Sequence, residues 1–281
     1  MPLRDAPAKL NLGLHVLRRR ADGFHDLDTV FLPIGWADRL GAERADAVTL
    51  TTDDPALPTD DGNLVVHAAR ALQAWAGTEA GAALHLEKRV PYGAGLGGGS
   101  SDAAATLRLL IDLWGLDVPE ADLAEIALRL GSDVPFFLHD GAMTASGQGE
   151  VLTPLLGADG APYRCPFWIV VAVPPVHVGT AEAYGLVTPN DRDRPDLGAV
   201  VCSNDLDRWR RDLVNDFQAP VEAAYPTIRD VRLALTEAGA GYASLSGSGS
   251  AVFGVFDTEA GAQAAAQALF ATCRVWVEKP R

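Results

Sequence analysis

The chain has 281 residues, 48% hydrophobic and 21% charged, a balance that is globular rather than disordered and a length that suits two domains of about 100–200 residues. Its formal charge of −14, from 23 basic against 37 acidic residues, argues against nucleic acid or an anionic membrane surface as a partner. An anionic substrate must meet local positive potential, from helix N-termini, a metal or a few basic side chains.

Cys165, Cys202 and Cys273 are widely spaced with no C-x-x-C pair. Neither a zinc site nor a disulfide framework is indicated, which fits a reducing cytoplasm. The opening MPLRDAPAKL has no apolar signal core, and the longest apolar run, FWIVVAV at 167–173, is too short to span a bilayer. A cytoplasmic protein with no membrane partner is expected. Only three of the basic residues are lysines, Lys9, Lys88 and Lys279, so a lysine in an unusual setting carries extra information.

In chain order, PAKLNLGLHV (7–16) alternates: Ala8, Leu10, Leu12, Leu14 and Val16 face one way, Lys9, Asn11, Gly13 and His15 the other. This predicts a strand with one buried face. RRRADGFHDLDTVF reads as a turn into a second extended segment. NLVVHAARALQAWAG (63–77) has helical spacing with a stop at Gly77, and ALHLEKRV (83–90) alternates as a strand. Ala103, Ala104, Leu107, Leu110, Ile111 and Trp114 form a helical stripe ending at Gly115, with Ser100 or Ser101 as its N-cap. PEADLAEIALRLG (119–131) is a further helix, and SDVPFFL could begin another. GADGAPYRCP (157–166) is the best linker. Beyond it come a strand at 167–173, a polar loop at 188–198, helices to about 238, a glycine-broken hairpin at 241–257, helix 258–271 and the strand RVWVEK. That order suits a small α+β sandwich.

Between strand 83–90 and its following helix stands PYGAGLGGGSSDAAA (91–105), with five glycines in the seven positions 93–99. A surface turn needs one or two. The excess points to backbone N–H groups arranged around an anion at a helix N-terminus, with phosphate the natural candidate. Gly93, Gly95 and Gly98 satisfy G-x-G-x-x-G, but the preceding strand carries His85, Glu87, Lys88 and Arg89, unlike a buried Rossmann strand. A Walker A loop requires G-K-[ST], which is absent.

These residues bring a resemblance into view. PYGAGLGGGSSDAA resembles the second signature of the GHMP kinase superfamily, PAKLNLGLHV the first and SLSGSGSAVFGVF (244–256) the glycine-rich third, in the right order across nearly the whole chain. Within it, PAKLNL, RADGFHDLDTVF (20–31) and LGSDVPFF (130–137) resemble the members acting on 4-diphosphocytidyl-2-C-methyl-D-erythritol in the non-mevalonate isoprenoid pathway. The resemblance implies an α+β, two-domain GHMP kinase fold: an N-terminal ribosomal-protein-S5-like α/β domain (1–157) and a C-terminal ferredoxin-like sandwich (163–281), with the active site in the cleft between them. It implies transfer of the γ-phosphoryl of ATP to the tertiary 2-hydroxyl of the methylerythritol moiety, with Mg²⁺, in a monomer or weak homodimer.

Residue by residue, the match makes Asp133 the base for the substrate hydroxyl, although its spacing fits an N-cap or first-turn acid equally well. Lys9 would orient that base and offset charge on the migrating phosphoryl, although an exposed lysine is the ordinary alternative; Asn11 shares its face. Pro91, Tyr92, Gly93, Ala94, Gly95, Leu96, Gly97, Gly98, Gly99, Ser100 and Ser101 would cradle the triphosphate. Gly247 and Gly249 would lie against that loop, or simply form a tight turn. Phe24, His25 and Tyr184 match cytosine-holding positions, with Phe24 and Tyr184 replacing the family's commoner Tyr and Phe; Thr180 and Phe31 are weaker candidates. The metal ligands stay unassigned. Rival readings are another GHMP kinase or ATP-dependent decarboxylase, and a catalytically silent nucleotide-binding module.

Overall fold

A computed structural model describes residues 2–280. Packing divides the chain into two compact units, each assembled from separated segments. The first takes the residues up to Ala8, Trp36–Tyr92 and Gly97–Asp140; the second takes Lys9–Gly35, Gly93–Leu96 and the chain from Gly141 onward. Two long strands run through both, β1 (Leu3–Arg19) and its partner β2 (His25–Ala45).

In the first unit, β2 pairs antiparallel with β4 (Gly81–Glu87) through Arg39–Ala45, and β3 (Thr49–Thr52) adds to β4 in parallel. Helix α1 (Leu64–Ala76) begins where Asn63 accepts the Val65 N–H and stops at left-handed Gly77, as its sequence predicts. Helix α2 (Gly98–Trp114) ends at Gly115 and α3 (Glu120–Leu130) at Gly131. Their apolar stripes meet the strands in one core containing Leu40, Leu84, Leu86, Leu72, Leu107 and Leu110. SDVPFFL forms only a 3-10 turn, Pro135–Leu138; the chain is extended again at His139 and turns at left-handed Gly141. So short a segment completes no α-helix.

In the second unit, β2 pairs antiparallel with β5 (Met143–Gly147), which pairs with β6 (Val151–Pro154). After β7 (Trp168–Val173) come the short helices α4 (Thr180–Leu186), α5 (Leu197–Cys202), α6 (Leu206–Asp212) and α7 (Gln218–Ala224), then α8 (Pro226–Glu237). The hairpin β8 (Tyr242–Leu245) and β9 (Val252–Phe256), helix α9 (Glu259–Leu269) and β10 (Arg274–Glu278) complete an antiparallel sheet in the order β10-β7-β9-β8. Val170, Leu245, Val252, Ile228, Leu235, Ala262 and Leu269 form its core, which also takes Leu14, Val16 and Leu27 from β1 and β2.

Strand β1 departs from its predicted pattern in two ways. Both faces are covered: Lys9 is 4% exposed, Asn11 1% and His15 0%. The alternation also breaks. Asn11 Nδ2 donates to Thr29 Oγ1 at 3.0 Å, whereas His15 Nδ1 lies 4.0 Å from Asp28 Oδ2. Asp28 and Thr29 are successive strand residues on opposite faces, so Asn11 and His15 are on opposite faces too. Gly13 supplies the extra half-step with φ +74°. A Cβ there would sit 2.9 Å from a Leu197 methyl and 3.0 Å from one of Leu213.

Candidate active site

The glycine-rich segment leaves β4 and enters α2. Gly93, Gly95 and Gly97 have positive φ (+64°, +78°, +71°), whereas Gly98 and Gly99 are the first helical residues. The expected cap is therefore corrected: Gly97, not Ser100 or Ser101, occupies the N-cap position, and no side chain caps the helix. The helix starts early because left-handed Gly97 turns the chain into it, and the amides of its first turn lack intrahelical acceptors. That is the arrangement an anion needs. Ala94 and Leu96 are buried and Tyr92 is exposed.

Gly95 is a glycine for two reasons: positive φ, and a Cβ that would lie 2.1 Å from the Ser246 carbonyl oxygen. Ser246 Oγ donates to the Gly95 carbonyl at 3.0 Å and the Ala251 N–H donates to the Ala94 carbonyl at 2.9 Å. A Cβ on Gly247 (φ +56°) would stand 3.2 Å from Asn11 Oδ1 and 3.3 Å from the Gly95 oxygen. Gly249, at φ +89°, completes the turn. Asn215 Nδ2 fixes this segment through the Leu245 and Gly247 carbonyls (2.8 and 2.9 Å). The third glycine segment thus packs directly on residues 94–96.

Lys9 joins the same cluster. Its N–H donates to the Leu96 carbonyl at 2.9 Å, and its Nζ donates to Asn11 Oδ1 at 2.6 Å and to the Gly95 carbonyl at 3.2 Å. The ammonium lies 5.1 Å from the centroid of the buried Phe31 ring, a cation–π contact. The exposed-lysine alternative is excluded by this burial.

His25 and Tyr184 come together from distant segments, their rings stacked 4.6 Å apart at 14°, with Phe217 edge-on to Tyr184 at 4.9 Å. Burial, followed by Arg19, lowers the His25 pKa. Phe24 is 57% exposed at the turn before His25, and Thr180 is exposed at the start of α4, one helical turn before Tyr184. Asp133 is half-buried in the turn between α3 and the 3-10 segment. Val134 holds the capping position there, without a side-chain cap.

The sequence reading missed one cluster. Lys88, the residue after β4 in a segment whose sequence looks polar, has a side chain only 4% exposed, between Asp38 (2.5 Å) and Asp102 (2.7 Å). Asp38 Oδ1 also accepts the N–H groups of Arg89 (2.6 Å) and Val90 (2.7 Å), which ends β4 at Glu87. Burial works against the Lys88 ammonium, but Asp102 and Asp38 outweigh it and raise its pKa. Burial pushes Asp102 up to about 7, against the pull of Lys88 and with a further push from Asp38. Asp102 Oδ1 and Ser101 Oγ are buried without a partner among the described residues. Gly98 sits on this cluster: its Cβ would be 3.2 Å from Lys88 Nζ and 3.6 Å from Asp38 Oδ2. Close packing, not positive φ, favours glycine there. The scarcity of lysine marked Lys88; nothing local marked Asp38.

Family comparisons agree with this geometry. The model of the GHMP kinases N terminal domain matches residues 63–141 and that of the GHMP kinases C terminal matches 197–275. The chain belongs to the GHMP kinases. It is 55% identical to the 4-diphosphocytidyl-2-C-methyl-D-erythritol kinase of Salinibacter ruber over 96% of this chain and 95% of that protein, and 45% identical to that of Chlorobium chlorochromatii over 98% and 95%. A crystal structure of 4-(cytidine 5'-diphospho)-2C-methyl-D-erythritol kinase superposes with a TM-score of 0.82 at 38% identity, covering 98% of both chains. Within the GHMP kinases, the chain is a member of the 4-diphosphocytidyl-2-C-methyl-D-erythritol kinase family. Among the described residues, no helix is long and apolar enough to cross a membrane.

Proposed function

We propose that the protein transfers the γ-phosphoryl of ATP to the 2-hydroxyl of 4-diphosphocytidyl-2-C-methyl-D-erythritol, releasing ADP. The observation that carries this reading is the cluster of Lys9, Asn11, Gly95 and Gly247, on a glycine segment that continues into a helix with no side-chain cap, in a chain 55% identical to a kinase of that name. In this reading residues 91–101 cradle the triphosphate, with Gly247 and Gly249 supporting the loop. Lys9 offsets charge on the transferring group while Asp133 takes the hydroxyl proton. Asn11 and Phe31 shape the acceptor site, and Phe24, His25, Thr180 and Tyr184 hold the cytidine.

The Ser100 and Ser101 hydroxyls are oxygen donors of the kind Mg²⁺ accepts, and Ser101 Oγ has no other partner among the described residues. No group of three or more His, Cys, Asp or Glu there could hold a metal, so nucleotide phosphates and water would supply most of the shell. Bound Mg²⁺ would neutralise phosphate charge. We further propose 1–157 and 163–281 as the two family domains, supported by one family-model match on each side of that boundary.

The test is a coupled ADP-release assay with the diphosphocytidyl substrate, its uridine analogue and mevalonate. Turnover of the cytidine substrate well ahead of its uridine analogue, with none of mevalonate, is expected; turnover of mevalonate instead overturns the reading. Asp133→Ala should lower kcat by roughly 10²–10⁴-fold and leave ATP binding intact. Tyr184→Ala should weaken cytidine and uridine substrates alike, whereas His25→Ala should narrow the gap in kcat/KM between them.

A further inference from the structure

The Asp38–Lys88–Asp102 cluster joins three elements that flank the nucleotide loop in the chain. Asp38 belongs to β2, Lys88 leads out of β4, and Asp102 stands in the second turn of α2. Asp38 holds the loop's entry through the Arg89 and Val90 amides, while Asp102 lies beyond its exit. Lys88 links the two carboxylates, immediately below Gly98. Both ends of the segment from 91 to 97 are therefore tied to one buried ammonium.

Fixing the ends matters because of what lies between them. Glycine has the greatest backbone freedom of any residue and loses the most entropy when ordered. Three positive-φ glycines in five residues, 93 to 97, would sample many arrangements if their ends could drift. An anion site built from backbone amides needs them held in one arrangement before the ligand arrives. A hydrophobic residue in place of Lys88 would fill space but would donate to neither Asp38 nor Asp102.

We propose that Lys88 is a positioning residue for nucleotide binding: through Asp38 and Asp102 it holds the entry and exit of the glycine loop in register, so that ATP affinity depends on this buried ion triad. The proposal deepens the kinase reading above and rests on it. Only the acceptor role of position 102 is required, not its charge, so an amide there should serve.

The experiment is titration calorimetry of the full-length protein with a non-hydrolysable ATP analogue, with the KM of the diphosphocytidyl substrate measured alongside. Asp102→Leu removes the acceptor yet leaves a neutral Lys88–Asp38 pair, so its fold should survive. It is expected to weaken analogue binding threefold or more while the acceptor KM changes less than twofold. Asp102→Asn should restore wild-type affinity within twofold, and Lys88→Met should weaken it tenfold or more. Wild-type affinity in a folded Asp102→Leu protein, or equal loss in Asp102→Leu and Asp102→Asn, overturns the proposal. If the wild-type protein binds no ATP analogue, the kinase reading itself fails; if it binds while the Leu variant is unaffected, only this inference does.

Discussion

His15 and the Lys88 cluster bury titratable groups by opposite means. His15 is fully buried with neither ring nitrogen partnered among the described residues. Burial, aided by Arg194 and opposed by Asp216, lowers its pKa to about 4, so it sits in the fold as a neutral ring. Lys88 keeps its charge because two carboxylates surround it, and the second of them, Asp102, is pushed toward its protonated form. The difference fixes the sign of each group's pH dependence. For His15, between about 4 and its ordinary 6.5 the unfolded chain holds a proton that the folded one lacks; stability is full above 6.5 and falls as pH drops. For Asp102, between its ordinary 3.8 and about 7 the folded state holds the extra proton, so its contribution is lost as pH rises. Two sites in different units oppose each other over nearly the same window.

The most severe way to break this contrast is Lys88→Met, which strands two buried carboxylates. Chemical denaturation should show a loss of about 3–5 kcal/mol. His15→Leu should act in the opposite direction, stabilising the protein by about 1–3 kcal/mol at pH 7 through removal of an unsatisfied buried polar group. Its pH profile sharpens the comparison: without the His15 contribution, the slope of stability against pH between 4 and 7 should be more negative than in the wild type. Asp102→Asn should tilt the same profile the other way, and parallel profiles for all three proteins would refute the opposed assignments. The smallest expected effect is that of Gly13→Ala, about 1–2 kcal/mol for an L-residue forced into left-handed backbone, read as a fall in Tm.

Much of this was legible in the chain. The α1, α2 and α3 stripes announce themselves by spacing and by Gly77, Gly115 and Gly131, because helical periodicity and chain reversal are local properties. Lys9, Asn11 and the glycine segments were legible because their motifs are contiguous. The start of α2 lies three or four residues earlier than its sequence suggests: Ser100 and Ser101 look like caps, yet left-handed Gly97 starts the helix without a side-chain cap. The flip at Gly13 was hidden because glycine is silent in an alternation pattern. Asp38 lies 50 residues before Lys88, and a charge inside an ordinary strand gives no sign of a partner so far along the chain.

The interleaving of the two units has a consequence for how the protein is made. A ribosome delivers the chain from its N-terminus at about 5–20 residues per second. Everything that the first unit requires has emerged once Asp140 is out, but Lys9–Gly35 belongs to the second unit. Leu14, Val16 and Leu27 share a core with Val170, Leu245 and Val252, all made after Asp140. For roughly ten seconds at these rates, the apolar residues of Lys9–Gly35 are made while most of their packing partners are not, and transiently exposed apolar surface of that kind is what chaperones bind on a nascent chain.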